Sequence, residues 1–97
     1  MNMQKILKQA QKMQDKIQRE LGETSVEASV GGGIVVVTMD GHKNLLTVKI
    51  DPEVMDPEDP GMLEDLFVAA VNEANRKVDE TVQSKVGAMA PNVPGLF

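Results

Sequence analysis

The sequence predicts an α+β fold: a two-layer α-β-β-β-α domain with a three-stranded antiparallel meander sheet, working as a dimer. Three observations carry this. Two long stretches repeat their apolar residues every three or four positions, one at each end of the chain. Between them lie three short segments that alternate with a period of two. The 97 residues are too few for two independent cores, so residues 1–97 read as one domain.

The first helix spans residues 3–21. Met3, Ile6, Leu7, Ala10, Met13, Ile17 and Leu21 fall on one face, an arc of roughly 120° at about 100° per residue. Asn2 stands where an N-cap belongs and Gly22 where a stop belongs. Lys5, Lys8, Lys12, Lys16 and Arg19 fill an arc of roughly 80° nearly opposite the apolar one. Asp15 and Glu20 lie outside that basic arc. Such a ridge reads either as a solvated face or as a surface that meets an anion.

Residues 24–30 form the first strand, with Val26, Ala28 and Val30 on one side and Ser25, Glu27 and Ser29 on the other. Gly31, Gly32 and Gly33 follow. A β-prone run, Ile34 to Met39, comes next. Three glycines after a strand suggest a phosphate loop only if a helix follows, and none does, so they read as a turn or bulge. Asp40-Gly41 signals a hairpin, with His42 and Lys43 completing its loop. In the third strand Leu46, Val48 and Ile50 alternate with Leu45, Thr47 and Lys49.

Asp51 to Pro60 holds three prolines and five acids and reads as a loop. Asp59 caps and Pro60 opens the second helix. Its apolar face carries Leu63, Phe67, Ala70, Ala74, Val78 and Val82, and Gly87 marks its expected end. Residues 88–97 read as an irregular tail, or as one docked through Leu96 and Phe97.

Length adds a constraint. A helix of about 20 residues is roughly 30 Å long, while strands of about seven residues span roughly 23 Å. The first helix therefore overhangs its sheet, and its apolar stripe needs a partner. A homodimer supplies one, with Met3, Ile6, Ala10, Met13 and Ile17 as the expected seam.

Composition narrows the function classes. The net charge is −5, yet residues 1–22 carry +3 and residues 51–65 carry seven acids and no base. The chain has no cysteine, which excludes disulfides, thiolate metal sites and a cysteine nucleophile and fits a cytoplasmic protein. With no Trp or Tyr and only Phe67 and Phe97, base stacking has no platform. No apolar run approaches the roughly 20 residues that span a bilayer, and no secretory leader pattern opens the chain. His42, the one histidine, has no second His or Cys to share a metal and reads as an exposed loop residue. The acidic stretch lacks the EF-hand pattern. No enzyme signature is present, and the expected metal site is none.

Specific strings then resemble the YbaB/EbfC family of bacterial nucleoid-associated proteins. They are the Met-Gln-Lys-rich helix of residues 3–19, Gly31-Gly32-Gly33 followed by Val35 and Val37, the Gly41 hairpin, and Ile50-Asp51-Pro52. The most specific stretch is Leu63-Glu64-Asp65-Leu66, then Ala69-Ala70, Asn72-Glu73-Ala74 and Lys77; Pro94-Gly95-Leu96-Phe97 closes the match. The resemblance implies a cytoplasmic homodimer at the nucleoid that binds double-stranded DNA with little sequence selection, without catalysis or cofactor. It assigns DNA contact to Lys5, Lys8, Lys12, Lys16 and Arg19, and to Arg76 and Lys77 in the second helix. The other reading is a non-catalytic dimeric adaptor that contacts proteins of a DNA-processing assembly.

Overall fold

The computed structural model describes residues 2–89, in the order α1 (Met3–Glu23), β1 (Ser25–Val30), β2 (Val35–Asp40), β3 (Leu45–Ile50), a 3-10 turn (Pro52–Val54) and α2 (Pro60–Met89). The sheet order is β1-β2-β3, antiparallel throughout. Ser25 faces Asp40 and Val30 faces Val35 across the first pair; Val35 faces Ile50 across the second, with a register shift at Thr38 and Met39. This is the expected α-β-β-β-α arrangement.

Local chemistry explains the element ends. The Asn2 side chain accepts hydrogen bonds from the backbone N–H groups of Gln4 (3.1 Å) and Lys5 (3.4 Å), satisfying two donors the first turn of α1 leaves free. Gly31, Gly32 and Gly33 have φ of 64°, 73° and 97°, a left-handed run that turns the chain between strands and that side chains resist. Asp59 Oδ1 accepts from the Met62 N–H at the start of α2.

Several ends differ from the expectation, and Thr24 and Asp40 shift the strand bounds by one residue each. α1 does not stop at Gly22 but continues to Glu23, because Thr24 caps it: the Thr24 N–H bonds the Leu21 carbonyl and its hydroxyl donates to the Glu20 carbonyl at 2.6 Å. Ile34 stays in the glycine turn rather than opening β2. α2 passes through Gly87, so Ala88 and Met89 are helical rather than part of an irregular tail. A helical glycine costs about 1 kcal/mol, and the burial of Val86 just before it holds the last turns in place. The expected docking of Leu96 and Phe97 falls outside the described residues.

The core lies between α2 and one face of the sheet. Ala28, Val35, Val37 and Met39 from the strands meet Ala70, Ala74 and Val78 from α2, all at most 2% exposed. Two alanines on the contact face let helix and sheet approach closely. Val37 is fully buried. Val37→Ala removes two methyl groups and leaves a void, so it is expected to cost about 2 kcal/mol. Urea unfolding at fixed protein concentration measures this; a loss below about 0.5 kcal/mol would show that the site is not packed as described.

Coverage is incomplete. α2 lies over β1 and β2, and β3 at the sheet edge leaves Leu45, Leu46 and Val48 40–52% exposed. α1 has no buried residue. It projects from the sheet, and the molecule measures 68 × 19 × 16 Å. The overhang expected from the helix length is present.

Candidate nucleic-acid interface

The basic ridge is built by helical spacing alone. Lys5, Lys8, Lys12, Lys16 and Arg19 are all exposed along α1. Among the described residues none of the five lies within ion-pair distance of a carboxylate. From Lys5 to Arg19 the ridge runs about 21 Å at 1.5 Å per residue. A row of unneutralised cations of this length suits a surface that carries regularly spaced negative charge.

Arg76 and Lys77 sit elsewhere, on α2, and are differently employed. The Arg76 guanidinium holds both Glu73 and Glu80 within its own helix. Its hydrogen bonds keep the Glu73 carboxyl below the ordinary range, and the two carboxylates keep Arg76 firmly charged. Lys77 Nζ donates to the Glu27 carbonyl at 2.8 Å and so stitches α2 to β1. Among the described residues the five cations of α1 have no ion-pair partner, whereas these two are engaged within the protomer.

The opposite side of α1 is apolar and uncovered. Met3, Ile6, Leu7 and Met13 are 40–66% exposed, Ala10 is exposed and Ile17 is half-buried. At the far end of α2 the acidic segment borders an open apolar cleft of about 540 Å³, lined by Ile50, Met55, Pro57, Leu63 and Phe67. Among the described residues no group of three or more His, Cys, Asp or Glu side chains could hold a metal ion. No helix among them is long and apolar enough to cross a membrane.

Sequence reasoning placed the β2–β3 hairpin but not its contacts. His42 is exposed, as expected, but its ring Nε2 lies 3.1 Å from the Gln18 carbonyl of α1. Asp40 is 8% exposed. Its carboxylate accepts from the backbone N–H groups of His42 and Asn44, both at 2.9 Å, and from the Asn44 side-chain amide at 3.1 Å. Lys43 has φ of 67° and pairs with Asp79 at 2.9 Å. The Asp-Gly pair signalled a turn; nothing in its spacing signalled what the turn would grip.

Asp40 also gives the fold a pH dependence. The Asn44 N–H, ahead of the opposing effect of burial, holds its carboxyl below the ordinary value of 3.8. A carboxyl with a depressed folded-state pKa stabilises the fold above its unfolded value and loses that contribution as pH falls through the folded one. Thermal melting should therefore drop as pH falls below about 4, and Asp40→Ala should flatten part of that drop. An unchanged pH profile in the variant would remove Asp40 from the account.

The sequence model of the YbaB/EbfC DNA-binding family matches residues 1–93. A nucleoid-associated protein of Acetivibrio thermocellus is 50% identical over 102 aligned residues, covering 99% of this chain and 90% of the relative. One from Chloroflexus aggregans is 40% identical over the whole of both chains. A solved structure of an uncharacterized Helicobacter pylori protein shares the fold at a TM-score of 0.73 and 21% identity, over 92% of this chain and 97% of that one.

Proposed function

The chain belongs to the YbaB/EbfC DNA-binding family, and on that premise we propose that it is a non-catalytic, cytoplasmic nucleoid protein whose homodimer binds double-stranded DNA through the backbone. The observation that carries the reading is the row of five cations on α1 that have no ion-pair partner among the described residues. Lys and Arg on such a row neutralise phosphates and release counterions, a mechanism with little interest in base sequence. Arg76 and Lys77 complete the proposed contact set from α2 in a secondary role, since each must first loosen an existing bond.

The net charge of −5 opposes DNA, and segregation answers it. The acids of residues 51–65 lie before and at the start of α2, at the sheet end reached by Ile50. The basic arm leaves the sheet at the β2–β3 hairpin end, where Gly41 meets Leu21. Homodimerisation is supported by the uncovered stripe of Met3, Ile6, Ala10, Met13 and Ile17 and by the uncovered side chains of β3. Apolar surface of that extent ordinarily finds a partner.

Fluorescence anisotropy with duplex DNA across a salt series, beside a single-stranded control, tests the proposal. Duplex binding that weakens linearly in log–log form is expected, and the slope counts the phosphates engaged. Absence of binding even at low salt would overturn it. The apolar cleft beside the acidic segment would then favour the adaptor reading, in which the dimer contacts a protein instead.

A further inference from the structure

α1 works as an arm, and an arm needs a joint. The base of α1 is gripped by the β2–β3 hairpin rather than by core packing. The Gly41 N–H donates to the Leu21 carbonyl at 2.9 Å and to the Thr24 carbonyl at 3.1 Å. One turn further out, the His42 ring meets the Gln18 carbonyl. The Leu21 carbonyl, one of the four that the end of a helix leaves without an in-helix partner, is thus served by a loop from another part of the chain as well as by the Thr24 cap. The loop itself is braced: Asp40 gathers its N–H groups from inside, and Lys43 ties it to Asp79 of α2. A second tie, 3.9 Å between Lys85 and Glu20, links α2 to the arm directly.

Gly41 is the tight point. A Cβ there would lie 2.5 Å from the Leu21 oxygen, 2.9 Å from its Cα and 3.0 Å from its carbonyl carbon. All three are backbone atoms, so no side chain can swing aside to make room. The helix and the hairpin backbone would have to move apart. An opening of about 1 Å at Leu21, turning about the Thr24 link, amounts to about 10° and carries the tip of α1 by about 5 Å.

We propose that the Asp40–Asn44 hairpin is a positioning joint: Gly41 sets the angle of the α1 arm, His42 holds it there, and together they decide how many of the five cations reach phosphates at once. The functional half of this inference rests on the DNA-binding reading; the mechanical half does not. Neither Gly41 nor His42 carries charge toward DNA in this account. Both act through the direction of α1.

The absence of cysteine makes a clean distance measurement available. Spin labels are placed through Gln11→Cys on the arm and Ser29→Cys on β1, and labelled chains are diluted with unlabelled protein so that distances within one protomer are read. Gly41→Ala is expected to shift the arm-to-sheet distance by up to about 3 Å, since Gln11 lies nearer the pivot than the tip does, and His42→Ala to broaden its distribution about an unchanged mean. Circular dichroism should match the parent. Duplex affinity of Gly41→Ala should fall about tenfold with a shallower salt dependence, because fewer cations engage together. Unchanged distance distributions in both variants would overturn the joint. If Gly41→Ala does not fold, His42→Ala alone decides: a broadened distribution supports the joint and an unchanged one overturns it. If the parent protein binds no duplex, the DNA reading fails while the distances still decide the joint.

Discussion

Changing Lys5, Lys8, Lys12 and Lys16 together to glutamine is expected to weaken duplex binding at least about 100-fold at moderate salt and leave the dimer folded. The four side chains are exposed and touch no carboxylate among the described residues, so the protomer has little to lose. Lysine and glutamine also have nearly equal helix propensity. DNA has much to lose. A dimer forfeits up to eight cations, and each phosphate neutralised contributes about 0.9 to the log–log salt slope, so the slope should fall by up to about 7. Lys49→Gln, a single exposed charge on β3, is the control and should barely move either quantity. Anisotropy titrations at three or more salt concentrations measure both. Binding of the fourfold variant at parental strength would show that the ridge does not face DNA.

An aspartate at the apolar stripe should have the second large effect. Ile6→Asp or Met13→Asp is expected to raise the dimer dissociation constant at least about 100-fold, since an unpaired charge buried at a seam costs several kcal/mol. The protomer should survive. Ile6 and Met13 are 42% and 40% exposed within one chain and take no part in the core around Val35, Val37 and Val78. Sedimentation equilibrium beside circular dichroism distinguishes dissociation from unfolding. Because two linked arms bind DNA with an avidity that one lacks, duplex affinity should fall with dimerisation. A well-folded, intact dimer in both variants would show that the stripe is not the seam, and would move attention to Leu46 and Val48 on β3.

The element order was legible because periodicity is a local property. Met3 to Leu21 repeats at helical spacing whatever it packs on, and Val26 to Val30 alternates in the same way. Caps written as a side chain beside its helix were legible too, as at Asn2 and Asp59. Ends at which a glycine competes with a neighbouring cap or with burial were not. Gly22 and Gly87 both look like stops, yet α1 ends one residue after Gly22 on a threonine cap and α2 passes Gly87. The five α1 cations could be placed on one face from spacing alone. That Arg76 is held by Glu73 and Glu80 is open to inspection in the sequence, at intervals of three and four residues.

By itself, then, the sequence determined the α-β-β-β-α order, the family, the opposed apolar and basic faces of α1 and the length that makes this helix overhang. Each follows from residue types at fixed local spacing. Tertiary structure alone decided that Lys77 is tied to β1, that α2 covers two strands and leaves β3 bare, and that the arm is held through Gly41 and His42. The Lys77 bond to Glu27 spans 50 positions and the His42 bond to Gln18 spans 24. Contacts of that kind have no period to read. They exist only once the sheet has brought its hairpin against the end of the first helix and its edge beneath the second.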